Sequence, residues 1–173
     1  MKLHLMAISF FCILLALSGC YEEKNMDIKI SLIKLIESNC TEHDECIISF
    51  NSLPLGKWDF IYIFPNVSQS YIREKIAAPY NIYQDIGDKL IAIHENKIVY
   101  YHELFPMPDN PAQHKNIRFL FDKFNYNNSD IGYYRLTPDN ADVRVIIKKY
   151  TNDGANHMVL YEINPNNQQQ MIR

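Results

Sequence analysis

Hydrophobic residues recur along the chain at spacings that predict two or three short helices and about seven strands. The clearest helical period covers residues 28–38, where Asp27 is placed to cap the first turn. A second helix of about two turns is predicted over residues 69–77, because Ser68 can cap it and Pro79 stops it. Most of the other apolar stretches have the pattern of strands.

The strand signals are mostly linked as hairpins. Residues 58–64 are apolar on both faces, which predicts a central strand. Asn96 and the pair Asp153-Gly154 supply the turn residues of two hairpins. The predicted strands cover residues 46–50, 58–64, 90–94, 98–102, 117–121, 133–136, 143–150 and 158–163. This order predicts the α+β class, with one antiparallel sheet of about six to seven strands and two or three short helices packed on one side.

The first twenty residues have a different pattern. Lys2 is followed by an apolar run from Leu5 to Leu17, whose roughly 13 residues suit a signal-peptide core and are too few for a permanent membrane span. The stretch Leu17-Ser18-Gly19-Cys20 then resembles the lipobox of bacterial lipoproteins at all four positions. That resemblance implies cleavage before Cys20 and a diacylglycerol group on its thiol. The alternatives are an ordinary signal peptide that contains a cysteine, or a buried N-terminal helix.

The same resemblance also implies a location in the cell. Two acyl chains anchor a protein stably, because each buried methylene contributes about 0.8 kcal/mol. Tyr21 is not the aspartate that typically retains an enterobacterial lipoprotein in the inner membrane, so the expected location is the periplasmic face of the outer membrane. The expected segments are a signal peptide (1–19), a lipidated terminus with a short tether (20–26), a single domain (27–163) and a polar, frayed C-terminal tail (164–173).

Composition narrows the classes of function. The chain of 173 residues has a formal net charge of −3 at pH 7, and its signal segment holds one of the 17 Lys and Arg residues and none of the 20 Asp and Glu residues. The mature chain is therefore mildly acidic, and this charge balance does not indicate a protein that binds nucleic acid. With only five glycines, and no Gly-x-Ser-x-Gly or His-Glu-x-x-His stretch, it has no recognisable hydrolase or phosphate-binding motif, and no cofactor is expected.

Two cysteines follow the lipidated one in the mature chain, Cys40 and Cys46. In an oxidising periplasm they are expected to form a disulfide that closes a short loop and contributes about 2 kcal/mol. The alternative is a metal-binding loop, because Cys40, His43 and Cys46 repeat at a spacing of three beside acidic residues. That set provides only three soft ligands and no second cluster, so no metal is expected.

Four residues are candidates for binding or chemistry. Asp59 follows Trp58 into a strand that is apolar on both faces, where a carboxyl has a raised pKa unless it is paired. Asp59 is therefore either a general acid or base, or a residue at the outer end of the strand that bonds loop amides or a basic side chain such as Lys57 or Arg73. Tyr80 and Tyr83 follow a helix in an irregular stretch, where they are expected to be exposed binding anchors.

The Trp58-Asp59 strand, the short helix after it and the two later hairpins resemble a loose group of small secreted bacterial proteins and lipoproteins of unassigned activity. This resemblance carries no catalytic residue over. We expect a non-enzymatic, lipid-anchored module that binds a protein partner in the periplasm, one form being an immunity lipoprotein that neutralises an antibacterial effector. The alternatives are an accessory lipoprotein of envelope assembly or stress, and an envelope hydrolase that uses Asp59 with a histidine.

Overall fold

The fold is taken from a computed structural model of the chain. The structure describes residues 27–40, 44–82, 86–105, 115–121, 132–151, 157–166 and 170–172. Two α-helices lie in these ranges, α1 (Ile28–Asn39) and α2 (Gln69–Lys75). The strands are β1 (Glu45–Ser49), β2 (Phe60–Phe64), β3 (Asp88–His94), β4 (Lys97–Leu104), β5 (Lys115–Phe119), β6 (Tyr133–Leu136), β7 (Asp142–Thr151), β8 (His157–Pro165) and β9 (Met171–Ile172).

Both predicted helix starts are confirmed. The Asp27 carboxylate accepts a hydrogen bond from the Lys29 backbone N–H at 2.9 Å. The Ser68 hydroxyl accepts one from the Tyr71 backbone N–H at 3.3 Å. α2 ends at Lys75 rather than at residue 77, because Ile76 is extended and packs into the core. In the part of the chain that the structure describes, no helix is long and apolar enough to cross a membrane.

The strands form two sheets, which corrects the expectation of a single sheet. The order is β1-β7-β8-β5 in the four-stranded sheet and β4-β3-β2-β6-β9 in the five-stranded sheet. All neighbours run antiparallel except β5 and β8, which are parallel. The α+β class and both predicted hairpins are confirmed. Hairpins are encoded by local turn residues, whereas the sheet that each hairpin joins depends on distant packing.

The core lies between the two sheets, and the helices cover different faces. The inner faces of both sheets and the buried side of α1 form the larger cluster. α2 packs on the opposite face of the five-stranded sheet, against Tyr62, Phe64 and Ile91. The expectation that the helices share one side is therefore wrong. The buried side of α1, with Ile28, Leu32 and Ile36, instead packs into the cluster that the two sheets share.

Residues 164–166 and 170–172 belong to the fold, which corrects the expectation of a frayed tail for this described part of residues 164–173. Gln170 is fully buried, and its amide donates to the carbonyls of Asn140 and Asp142 at 3.1 and 2.6 Å. Its side-chain oxygen accepts the Asn166 N–H at 2.6 Å. These bonds hold β9 beside β6. A polar composition predicted solvent exposure, but the glutamine satisfies backbone groups that would otherwise be unpaired.

Tyr134 connects the two sheets through its hydroxyl. The residue is fully buried in β6 of the five-stranded sheet. Its hydroxyl lies 2.6 Å from the Leu120 carbonyl oxygen and 2.9 Å from that of Ile163, in and beside the four-stranded sheet. The rings of Phe119 and Phe121 meet the Tyr134 ring edge-on. This polar contact thus helps to fix the relative position of the two sheets, in addition to the apolar side chains packed between them.

The predicted disulfide is present. Cys40 follows α1 directly and is bonded to Cys46 in β1, with 5.6 Å between the two Cα atoms. The bond ties the end of α1 to an edge strand of the four-stranded sheet. Since the thiols are bonded to each other, neither is a free metal ligand.

Tyr134→Phe is expected to destabilise the protein by about 1–3 kcal/mol, because the Leu120 carbonyl loses its hydroxyl partner while the apolar packing is kept. Urea denaturation of the variant and the parent measures the difference. Tyr150→Phe is the matched control, since Tyr150 is exposed and the same deletion there is expected to change stability by less than about 0.5 kcal/mol. Equal losses in both variants would contradict the role of the Tyr134 hydroxyl.

Candidate functional site

Asp59 lies at the end of the five-stranded sheet where the β3–β4 hairpin turns. One carboxylate oxygen accepts the Glu95 backbone N–H at 2.7 Å, and the other lies 3.1 Å from Nδ1 of His94. Glu95 and Asn96 form the turn with positive φ angles of 49° and 60°. Asn96 was predicted as the pivot residue, and this is confirmed. Asp59 therefore holds a strained two-residue turn and orients the histidine that precedes it.

Asp59 is paired, and for a paired carboxyl no raised pKa is expected. β2 begins at Phe60, so Asp59 precedes the strand and does not enter its apolar interior. The Glu95 backbone N–H and then His94 stabilise the carboxylate and lower its pKa. The interpretation with loop amides at the outer end of the strand is confirmed. The basic partner is His94, whereas Arg73 bonds the Tyr80 carbonyl instead.

The Asp59–His94 pair has one part of a catalytic arrangement. A carboxylate that binds Nδ1 fixes the imidazole and leaves Nε2 to act as a base. Among the described residues, no hydroxyl or thiol is hydrogen-bonded to His94. The described ranges also contain no group of three or more His, Cys, Asp or Glu residues that could hold a metal ion. The contacts of the Asp59 carboxylate are with the turn residue Glu95 and with His94 directly before the turn.

The aromatic candidates are placed differently from the expectation. Tyr80 is only 1% exposed and packs against Tyr101, so it is not a surface anchor. Trp58 is buried at the border of the main core. Tyr83 lies outside the described residues. Tyr80 is buried because the segment after α2 folds back over β4, a long-range contact that local composition does not encode.

Asp88 and Lys89, at the start of β3, were missed by sequence reasoning. Burial raises the pKa of Asp88 to about 7, against the opposing charges of Lys89 and Arg118. Lys89 is fully buried, and its ammonium donates to the Gly87 carbonyl at 2.6 Å and lies 3.9 Å from the Glu103 carboxylate. Strongly perturbed carboxyls are more frequent at functional sites than elsewhere. The available signal was a pair of oppositely charged residues, Asp88 and Lys89, directly before an apolar run.

The β7–β8 hairpin projects beyond the rest of its sheet. β1 pairs with β7 only as far as Ile146, and β5 pairs with β8 only from Val159 onward. Among the described residues, the two strands therefore pair only with each other through residues 148–151 and 157–158, here called the hairpin arm. Tyr150 and Met158 face each other across this arm and are 42% and 39% exposed. They form an apolar pair at a projecting position, where a core role is excluded.

The hairpin arm is bordered by paired charges. The Lys148 ammonium lies 2.7 Å from the nearly buried Glu162 carboxylate, and the Lys149 ammonium lies 3.2 Å from Asp44. Alternation along the strands puts Lys148 on the same face as Tyr150 and Met158. On this outer face of the four-stranded sheet, neither described helix packs.

Comparison with protein-family models, with curated proteins and with solved structures gives no match for this chain.

Asp59→Asn is expected to remove part of the acid sensitivity of folding. Because the folded-state pKa of Asp59 is lowered, its carboxylate stabilises the fold above the unfolded pKa of about 4, and this contribution is lost as the pH falls through the folded value. The asparagine keeps an acceptor for the Glu95 N–H but carries no charge. Denaturation between about pH 2 and pH 6 measures the difference. The same acid sensitivity in parent and variant would contradict the assignment.

Asp88→Asn is expected to change stability in a different pH range. A folded-state pKa of about 7 means that the folded protein keeps this proton while the unfolded chain has lost it, so Asp88 makes stability fall as the pH rises from about 4 to 7. The asparagine variant should lack this decrease when urea denaturation is compared at the two ends of that range. Asp139→Asn, at an exposed position, is the matched control. A decrease of unchanged size in Asp88→Asn would disprove the explanation.

Proposed function

We propose that this protein is a lipid-anchored lipoprotein of the bacterial envelope and that its domain is a non-enzymatic module that binds another protein. The hairpin arm is the observation on which the binding proposal depends. A cross-strand pair of Tyr150 and Met158, both exposed, stands on a projecting hairpin. Tyrosine and methionine are enriched in the centres of protein interfaces, whereas lysine is depleted there. The lysines beside the pair already have acidic partners.

The envelope location is proposed from the lipobox resemblance of Leu17-Ser18-Gly19-Cys20. The Cys40–Cys46 disulfide supports it, because structural disulfides persist in oxidising compartments and are rare in the cytosol. The tether of residues 22–26 reaches at most about 18 Å, so the domain stays close to the membrane surface. We place it on the periplasmic face of the outer membrane, on the basis of Tyr21.

The direction of α1 supports a partner that approaches from the side away from the anchor. The tether enters the domain at Asp27, which caps the first turn of α1. The other end of α1 leads to Cys40 and Asp44, and Asp44 accepts the Ile147 N–H where the hairpin arm begins. The anchor and the arm are thus joined to opposite ends of a 12-residue helix, which is about 18 Å long.

Within this class, an immunity lipoprotein that neutralises a secreted antibacterial effector is the version we favour. An accessory lipoprotein of envelope assembly or stress uses the same surface and anchor. An envelope hydrolase that uses Asp59 and His94 is the second candidate, because these side chains are 3.1 Å apart. It is less well supported, since no hydroxyl or thiol among the described residues is hydrogen-bonded to His94.

The double variant Tyr150→Ser with Met158→Ser is expected to lower the yield of the copurified partner about tenfold, because removal of central interface anchors costs at least 1–2 kcal/mol of binding, with about 1.4 kcal/mol per factor of ten. The measurement is a crosslinked pull-down of the lipidated full chain from its own cells, followed by mass spectrometry. A toxin-like partner would identify the immunity role, and an envelope-assembly protein would identify the accessory role.

Val99→Ser is the matched control, because Val99 is as exposed as Tyr150 but lies on β4 of the other sheet. It is expected to leave the yield unchanged. An unchanged yield in the double variant would show that the arm is not the binding surface. The absence of any stoichiometric partner of the parent chain would contradict the proposal that this is a binding module, and Asp59→Asn would then test the hydrolase.

A further inference from the structure

In the part of the chain that the structure describes, β1 is an edge strand of the four-stranded sheet, and some of its backbone groups face away from that sheet. The Asp44 carbonyl accepts the Ile147 N–H, and the Phe50 N–H donates to the Ala141 carbonyl. Because alternate residues of an antiparallel strand point their backbone groups in opposite directions, the groups of Glu45, Ile47 and Ser49 face away from β7. Within the described ranges, none of these three residues has a backbone partner on the open side.

The other three sheet edges carry features that hinder the addition of a strand. β9 has only two residues. β4 begins at Lys97 and its ladder with β3 is interrupted by a bulge at Ala92 and Ile93. β5 begins with Lys115 and also carries Arg118. Lysine, bulges and short strands are the usual protections of an edge, and β1 contains no lysine, proline or bulge.

The edge is also held in place before any partner arrives. The Cys40–Cys46 disulfide fixes the start of β1 to the end of α1. The Glu45 carboxylate lies 3.3 Å from the Arg144 guanidinium on the neighbouring strand. Ile47 is 55% exposed on the outer face of the sheet. An ordered strand with a central exposed isoleucine loses little entropy when another strand pairs with it.

We propose that β1 pairs antiparallel with β1 of a second copy of this chain, around a two-fold axis at Ile47. This register places Ile47 opposite the partner's Ile47 and Glu45 opposite the partner's Ser49. Every residue with outward backbone groups then meets another such residue, and each of these facing pairs exchanges two hydrogen bonds. The two four-stranded sheets become one continuous sheet.

Charge and geometry select this register over its neighbours. An axis at Glu45 would place two carboxylates directly opposite each other, which is destabilising. An axis midway between Glu45 and Ile47 would place Ser49 opposite a residue outside the partner's β1, so this part of the edge would stay unpaired. The axis at Ile47 instead forms a β-branched apolar pair at its centre and a carboxylate–hydroxyl pair on each side, both of which stabilise antiparallel strands. A two-fold contact of this kind is closed, so it gives a dimer and no filament.

The test uses the full chain in its own membranes and a short-spacer bismaleimide. Ile47→Cys is expected to give a crosslinked dimer, because the two side chains face each other about 5.5 Å apart. Ser49→Cys is the matched control on the same strand and face. In the proposed register its two copies are four residues apart, about 13 Å along the strands, so it should crosslink several-fold less. Val99→Cys, on the other sheet, measures random collision.

Equal yields from Ile47→Cys and Val99→Cys would overturn the proposal, and so would equal, high yields from Ile47→Cys and Ser49→Cys. A crosslinked product containing a different protein would assign the edge to that protein instead. Ile47→Pro gives an independent reading by native gel electrophoresis. It removes an outward N–H that β7 does not use, so the fold is kept while the dimer is lost. The hairpin arm does not include β1. A negative result in the crosslinking test would therefore not affect the pull-down test of the hairpin arm.

Discussion

The hydroxyl of Tyr134 lies in the apolar space between the two sheets, where an unpaired phenol costs about 1–3 kcal/mol. The contacts with the Leu120 and Ile163 carbonyls avoid that cost only when the sheets have one relative position. Apolar packing alone tolerates small sliding movements, because it has no preferred direction. α1 then fits between the sheets, and its far end is tied by the Cys40–Cys46 disulfide. The edge strand and the hairpin arm take their positions from this arrangement.

Two carboxyls at strand entries show how position decides electrostatics. Asp59 lies outside β2, and the Glu95 N–H and His94 lower its pKa. Asp88 is the first residue of β3, and burial raises its pKa to about 7 although Lys89 and Arg118 oppose the shift. The charged form is favoured where donors point at it and disfavoured where water is removed. The raised pKa that an unpaired Asp59 would have is found instead at Asp88.

Local signals predicted the elements well and the surfaces poorly. The caps at Asp27 and Ser68 and the turn at Asn96 were predicted, because each depends on a side chain or φ angle within a few residues. Tyr80 was expected on the surface and is buried, since Tyr101 from β4 covers it. Gln170 looked like part of a solvated tail, yet it bonds carbonyls some 30 residues earlier in the chain. Both errors arise from partners that are distant in sequence.

The sequence by itself determined the helices, the hairpins, the disulfide pair and the expectation of a lipid-anchored envelope protein, because each rests on residues close together in the chain. Only the tertiary structure decided that the strands divide into two sheets and that the helices lie on different faces. It also decided which side chains remain exposed, such as Ile47, Tyr150 and Met158. The exposure of a side chain depends on what packs against it in the folded protein. Alternation of apolar and polar residues along a strand does not show whether a face of the sheet is covered by other elements or exposed to solvent.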